Sequence, residues 1–238
     1  DFGYLDLILV DDFDSYSEGS NASPVWDVKP WFQTAIIENK TYKLYNGTAL
    51  IDALASINGF SQLDYWTSAK VRVPSGSNGS AYLTPRFGDV NNKYEIALDY
   101  DFSSININKV VNGNWSSVAA LWTGNLPTPV FISKNEWHLL GSRVKGNNIS
   151  AYVDGQLALN VTDSDLNNAT FSGFSLIALD DLALHTAYFD DLEIHKELTY
   201  GSHTLTVYVN NTNGEVNSSA VTFFVNTSDQ APVFSNYQ

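Results

Sequence analysis

Asn148–Thr162, NISAYVDGQLALNVT, sets two short alternating runs on either side of Asp154-Gly155 and reads as a β-hairpin. Residues facing each other across an antiparallel pair lie on one side of the sheet, so parity tests the loop length. A two-residue Asp-Gly loop pairs Val153 with Gln156 and Ser150 with Leu159, mixing apolar with polar side chains. A three-residue loop, Val153-Asp154-Gly155 with Gly155 left-handed, pairs Ala151 with Leu157 and Ile149 with Leu159, and one face becomes wholly apolar. That register is the expected one. It sets Tyr152 opposite Gln156, Ser150 opposite Ala158 and Asn148 opposite Asn160 on the outer face. Two N-x-S/T acceptor triplets, Asn148-Ile-Ser150 and Asn160-Val-Thr162, are then side by side in solvent.

The same period-two pattern extends outward from the hairpin. In Tyr94–Phe102, YEIALDYDF, the residues Tyr94, Ile96, Leu98, Tyr100 and Phe102 share a core face, while Glu95, Ala97, Asp99 and Asp101 share a face expected to meet water. In Leu63–Val73, LDYWTSAKVRV, the inward set is Leu63, Tyr65, Ala69, Val71 and Val73; Asp64, Trp66, Lys70 and Arg72 point outward. Only Thr48–Ile57, TALIDALASI, suits a few turns of helix. Asn91-Asn92, Asn112-Gly113, Gly146-Asn147 and Asn213-Gly214 punctuate the rest, as in an all-β antiparallel sandwich or barrel. A second hairpin, His203–Val209 with Ser219–Val225, groups Leu205, Val207, Val209, Val221, Phe223 and Val225 on one face. Two strands cannot bury such a face alone.

Composition narrows the function. The 238 residues carry 12 Lys plus Arg against 26 Asp plus Glu, a formal charge of −14, which argues against holding the phosphates of nucleic acid. With no Cys, disulfides and thiolate metal sites are ruled out. No apolar run reaches the ~18 residues of a spanning helix. Acceptor triplets begin at Asn21, Asn39, Asn46, Asn78, Asn114, Asn148, Asn160, Asn168, Asn210, Asn217 and Asn226. These eleven exceed the roughly four that chance would give from 24 Asn and 41 Ser plus Thr. The excess points to covalent N-glycans and to an extracellular or cell-surface location.

The order of several motifs resembles the concanavalin A-like jelly-roll superfamily, in particular its laminin-G-like and glucanase-like extracellular modules. They are Asp11-Asp12-Phe13, Arg86-Phe87-Gly88-Asp89 leading into Tyr94-Glu95-Ile96, Trp137-His138-Leu139-Leu140, Tyr152-Val153-Asp154-Gly155 and Ala187-Tyr188-Phe189-Asp190-Asp191-Leu192. The resemblance implies an antiparallel jelly-roll sandwich over 11–196. Residues 197–238, with TVYVNNTNGEV, resemble the last strands of immunoglobulin-like repeats of microbial surface proteins, a partial domain. Residues 1–10 stand apart as an apolar strand, with Phe2, Tyr4, Ile8 and Val10 on one face and Leu5, Leu7 and Leu9 on the other.

Members of this superfamily hold a structural Ca²⁺ near the two ends of the domain, which implies Asp11, Asp12, Asp190 and Asp191 as ligands; hard oxygen donors suit that ion. Its glucanases carry a Glu-x-Asp-x-Glu or Glu-x-Asp-x-x-Glu stripe as nucleophile, helper and acid/base. Asp99 and Asp101 lie ~7 Å apart on a strand, within the spacing of an inverting pair. Here, however, EIALDYD has Ala97 in the helper position and lacks the second Glu, so the chain is expected not to be an enzyme. Aromatic planes cover the apolar face of a pyranose, which makes Trp66, with Lys70 and Arg72 beside it, the expected carbohydrate contact; Trp115 and Trp122 come second. The leading expectation is a glycosylated extracellular module for adhesion or polysaccharide binding. The alternative is a filament or surface-layer subunit in which the apolar N-terminal strand completes the hairpin of another copy. Glycoside hydrolysis ranks third.

Overall fold

The computed structural model describes residues 5–28, 35–46, 53–77, 79–179, 185–197, 201–210 and 216–225. Among them, eight strands form one sheet: β1 (Leu5–Asp11), β3 (Ala35–Glu38), β4 (Thr41–Asn46), β6 (Tyr65–Arg72), β11 (His138–Lys145), β12 (Asn148–Val153), β13 (Gln156–Thr162) and β15 (His185–Glu197). Their order is β13-β12-β11-β6-β15-β4-β3, with β1 also paired to β15. A second sheet takes seven: β2 (Trp26–Val28), β5 (Ala53–Ile57), β7 (Ser80–Phe87), β8 (Lys93–Asp99), β9 (Ser104–Val111), β10 (Asn114–Trp122) and β14 (Gly173–Leu179), in the order β10-β9-β8-β7-β14-β5-β2. The two antiparallel sheets form a jelly-roll sandwich. β16 (Gly201–Asn210) and β17 (Val216–Val225) make a separate two-stranded sheet. The chain divides into two compact units, Leu7–Lys196 and the remainder, Asp1–Asp6 with Glu197–Gln238.

Alternation supplies the core. Tyr65, Ala69 and Val71 of β6 and Ile149, Ala151 and Val153 of β12 face Tyr94, Ile96 and Leu98 of β8 and Ile105 and Ile107 of β9, all buried in one cluster. In β15 the inward set changes parity, from Ala187 and Phe189 to Leu192 and Ile194. A bulge between Asp190 and Glu193, with Asp191 at φ 45°, inserts the extra residue. Asp tolerates that left-handed backbone better than most residues, which accounts for the acid at this point.

Three expectations are corrected. Ala53–Ile57 is strand β5 rather than helix, since Leu54 and Ala55 are both fully buried between neighbouring strands and packing overrides local preference; 48–52 lie outside the described residues. The Asp154-Gly155 loop has two residues, not three: φ is 47° and 78°, a turn that suits the right-handed twist of a hairpin. The odd residue that parity demands sits instead in β13, where Ala158 bulges out and the register shifts, pairing Ala151 with Leu159, Ser150 with Asn160 and Asn148 with Thr162. Glu95 and Ala97 do not meet water: each is 1% exposed, so both faces of β8 are covered. Phe2, Tyr4, Asn78 and Asn226 lie outside the described residues.

Candidate functional site

The outer face of the seven-stranded sheet carries a row of polar residues running across the strands. Asp27 is set opposite Ser56, Ser56 opposite Ser175 and Ser175 opposite Thr84; Glu95 is set opposite Asn108 and Asn108 opposite Ser117. The register that faces Leu83 with Ile96 brings Thr84 alongside Glu95 one step later. The middle of the row is buried. Ser175 Oγ, Thr84 Oγ1 and Glu95 Oε2 have no hydrogen-bond partner, while the other Glu95 oxygen lies 3.0 Å from the Lys93 ammonium. A row of Leu54, Ile177, Tyr82 and Ala97 runs beside it as a small apolar cluster.

The Asp27–Ser56 end of the row opens into a cleft of about 400 Å³. Asp27, Asn58, Ser61 and Thr170 supply polar groups; Phe60 is half-buried at its side and Phe87 is buried beneath it. Its frame is braced from below. Phe60 meets Tyr65 edge-on at 5.1 Å, the Tyr65 hydroxyl donates to the Gly173 carbonyl at 3.2 Å, and Gln62 N donates to the Ser172 carbonyl at 3.0 Å. Gly88 lets the Phe171 ring close down, because a Cβ there would come within 2.6 Å of it. Asn168 caps the short turn Ala169–Phe171 that brings Thr170 to the rim, accepting from Thr170 N at 3.0 Å. Sequence periodicity identifies none of these rim residues, because they come from four separated loops and strand ends.

Arg86 was legible only as part of a motif. It is buried, with φ 53°, and its guanidinium donates to Leu63 O at 3.2 Å, Asp64 Oδ1 at 3.3 Å and Gly146 O at 2.5 Å. It thereby ties β7 of one sheet to the start of β6 and the β11–β12 turn of the other.

The expected carbohydrate contacts Trp66, Lys70 and Arg72 share the outer face of the eight-stranded sheet, each engaged with a neighbouring side chain. Arg72 lies between the Trp137 and Tyr188 rings, 4.7 and 4.6 Å from their centroids. Lys70 pairs with Asp191 at 2.5 Å. Trp66 is half-buried: its indole crosses Gly141 and meets Tyr152 edge-on at 4.5 Å. Trp115 and Trp122, ranked lower from sequence, are 59% and 52% exposed on edge strand β10.

The four expected Ca²⁺ ligands do not assemble a site. Both Asp11 oxygens are engaged, Oδ1 by Phe13 N at 3.0 Å and Oδ2 by the Tyr16 hydroxyl at 3.0 Å and Trp26 Nε1 at 2.8 Å. Asp12 caps Asp14 N, and Asp190 and Asp191 form the β15 bulge. Burial pushes the Asp190 carboxyl up, and the charges of Asp191 and Asp14 add to the effect. Among the described residues no group of three or more His, Cys, Asp or Glu is placed to hold a metal ion.

Of the acceptor asparagines, Asn21, Asn39, Asn114, Asn148, Asn160 and Asn168 are exposed. Those on the opening hairpin interlock: Ser150 Oγ donates to Asn160 Oδ1 at 3.3 Å, and Thr162 Oγ1 donates to Asn148 Oδ1 at 2.9 Å. Each triplet's hydroxyl thus serves the other's asparagine. No helix among the described residues is long and apolar enough to cross a membrane.

No protein-family model and no curated protein sequence matches the chain. Solved structures do match its fold. The carbohydrate-binding module CBM66 from Bacillus subtilis is 21% identical over 71% of this chain and 93% of its own, with a TM-score of 0.55. The catalytic domain of an endo-1,3-beta-glucanase (laminarinase) from Thermotoga petrophila RKU-1 is 15% identical over 83% of this chain and 100% of its own, TM-score 0.57. The exoplasmic/lumenal domain of VIP36, in its Ca²⁺/Man3GlcNAc-bound form, is 13% identical over 80% of this chain and 90% of its own, TM-score 0.53. At these identities the likenesses show the fold alone, an antiparallel jelly-roll sandwich. They also correct one expectation. The similar folds are mostly glycoside hydrolases, with a lyase among them, so the exclusion of enzymatic activity drawn from the missing stripe does not stand.

Proposed function

We propose that this chain is an extracellular, N-glycosylated carbohydrate-recognition module whose ligand cleft is the one framed by Asp27, Asn58, Phe60, Ser61, Phe87 and Thr170. The observation that carries the reading is the make-up of that cleft. It sets the edge of the half-buried Phe60 ring beside a mainly polar rim, a combination that can cover part of the apolar face of a sugar while bonding its hydroxyls. The cleft lies on the seven-stranded sheet, whereas the interlocked acceptor pair lies on the other, so glycans there leave it open. The known ligands of similar folds, glucan and mannose-type oligosaccharides among them, are the first candidates.

Glycan-array binding followed by calorimetry tests this. Phe60→Ala and Asp27→Ala are each expected to weaken the best ligand at least ~10-fold, about the loss of one stacking or charged contact. Trp66→Phe is expected to leave affinity unchanged. An array without hits, or full affinity in both cleft variants, sinks the assignment. Asn168→Gln belongs in the same series, because a sugar on Asn168 would stand beside Thr170. Turnover is measured alongside, as reducing-sugar release from β-1,3-glucan and as unsaturated ends from alginate.

A second reading, assembly into a filament or surface layer by strand addition, rests on the C-terminal hairpin. Phe224 is 68% exposed and Val221 59% exposed, and their odd-even spacing puts them on opposite faces of a two-stranded sheet.

A further inference from the structure

A continuous apolar strip crosses the outer face of the eight-stranded sheet and ends beside an acceptor asparagine. Strand register builds it: Ser68 is set opposite Gly141, Gly141 opposite Tyr152, and Tyr152 opposite Leu157. Trp66 leans into this row from the next. A Cβ at Gly141 would lie 3.3 Å from Trp66 Cζ2 and 3.3 Å from Tyr152 Cβ, so the missing side chain lets the indole reach across β11. Leu157 closes the strip on edge strand β13 and is 49% exposed. Leu157 with the half-buried Tyr152 and Trp66 makes one contiguous apolar patch on the solvent side of the sheet, and it is such a patch, not a lone leucine, that points to an occupant.

Asn160 lies three residues beyond Leu157 on the same strand, about 10 Å along it, and faces outward in the adjacent row Trp66, Arg143, Ser150, Asn160. Its amide oxygen is held by the Ser150 hydroxyl, which leaves the amide nitrogen, the atom that takes a sugar, as the group to be modified. Asn148 is also exposed but belongs to the next row out, with Lys145 and Thr162, away from the strip. We propose that the glycan on Asn160 lies back on the protein, its first sugars packed on Leu157, Tyr152 and Trp66, and that the glycan on Asn148 does not. Pyranose C–H faces are apolar and stack on aromatic planes, so this covalent ligand suits the strip in both chemistry and reach. The expected sugar platform at Trp66 then serves the protein's own glycan. This inference rests on the glycosylated reading above.

The test uses the full chain produced in an N-glycosylating host, with site occupancy read by peptide mass spectrometry. Proton NMR reports stacking, because sugar protons over an aromatic ring move upfield. The expected result is an upfield-shifted set that disappears in Asn160→Gln, persists in Asn148→Gln, and collapses to ordinary positions in both Trp66→Ala and Leu157→Ser. Leu157→Ser guards against loss of folding, since that side chain sits at an exposed edge. An occupied Asn160 with unshifted sugar protons overturns the inference alone, as does an empty Asn160 among other occupied sites. If every acceptor is empty, the glycosylated reading fails with it.

Discussion

Arg86 shows how one side chain can hold two sheets together. Its backbone N–H donates to the Tyr65 hydroxyl at 3.1 Å while its guanidinium reaches two carbonyls and Asp64. Asp64 Oδ1 also accepts from Gly146 N at 2.9 Å, so the arginine and the β11–β12 turn share one carboxylate. Lysine would supply the charge but not the planar fork that bonds in several directions at once. Removing the guanidinium strands the Leu63 and Gly146 carbonyls. Arg86→Met is therefore expected to cost about 3 kcal/mol, read as a lowered urea midpoint at unchanged slope. Asp11 plays a comparable part at the other end of the core, below the stacked Phe13 and Tyr42 rings, whose centroids are 5.0 Å apart. In sequence, an acid near a domain end looks the same whether it binds calcium or an indole N–H.

At the level of elements, the Asp154-Gly155 hairpin separates what parity can and cannot decide. Parity correctly required one odd residue somewhere between Asn148 and Thr162. It could not choose between the loop and the strand. The loop is anchored from outside: Asp154 accepts from Leu139 N at 2.8 Å and lies 2.9 Å from His138 Nδ1, contacts made to β11 and absent from the hairpin itself. The bulge therefore moved to Ala158, on edge strand β13, where an unpaired residue disturbs no second neighbour. The β16–β17 hairpin poses the opposite problem, since two strands bury too little to be stable without further partners. If assembly supplies those partners, replacing Val221 and Phe224 together by Lys is expected to leave the thermal transition of the sandwich in place and to abolish self-association in sedimentation velocity. A monodisperse monomer before mutation would refute assembly outright.

For the molecule as a whole, the −14 charge and the buried ion pairs make stability depend on pH. Burial pushes the Asp163 carboxyl up, but hydrogen bonds from the Lys109 ammonium and the Tyr94 hydroxyl outweigh it and hold it below its usual value. Asp154 and Asp101 are more exposed; partial desolvation pushes each up, but hydrogen bonds with the His138 ring and the Lys134 ammonium respectively hold them below the usual value. An acid whose folded pKa is depressed contributes stability that is complete above the unfolded value, about 4, and is lost as pH falls through the folded value. Asp190, held high, acts in the opposite sense and gains as pH falls. Glu38 is also held low, by hydrogen bonds from Tyr188 and Lys43, so four depressed acids against one raised acid predict net loss on acidification. The wild-type advantage in urea midpoint over Asp163→Asn is expected to narrow as pH drops from 7 to 3.

The sequence by itself determined the all-β class, the inward placement of Tyr65, Ala69, Val71, Tyr94, Ile96, Leu98, Ile149 and Ala151, and the outward placement of Asn148 and Asn160, because alternation is a local property of extended backbone; it missed Val153, which is buried, and Phe102, which is 77% exposed past the end of β8. It could say which residues share a face, not what lies over that face. Only the tertiary structure decided that Glu95 is covered, that Arg72 is clasped by Trp137 and Tyr188, and that Asp190 and Asp191 mark a bulge. It also decided that the candidate cleft forms where β2, the Asn58–Ser61 loop, Gly88 and Thr170 converge. Each of these rests on contacts between residues tens of positions apart, and such contacts depend on how two sheets are stacked, which no period in the chain encodes.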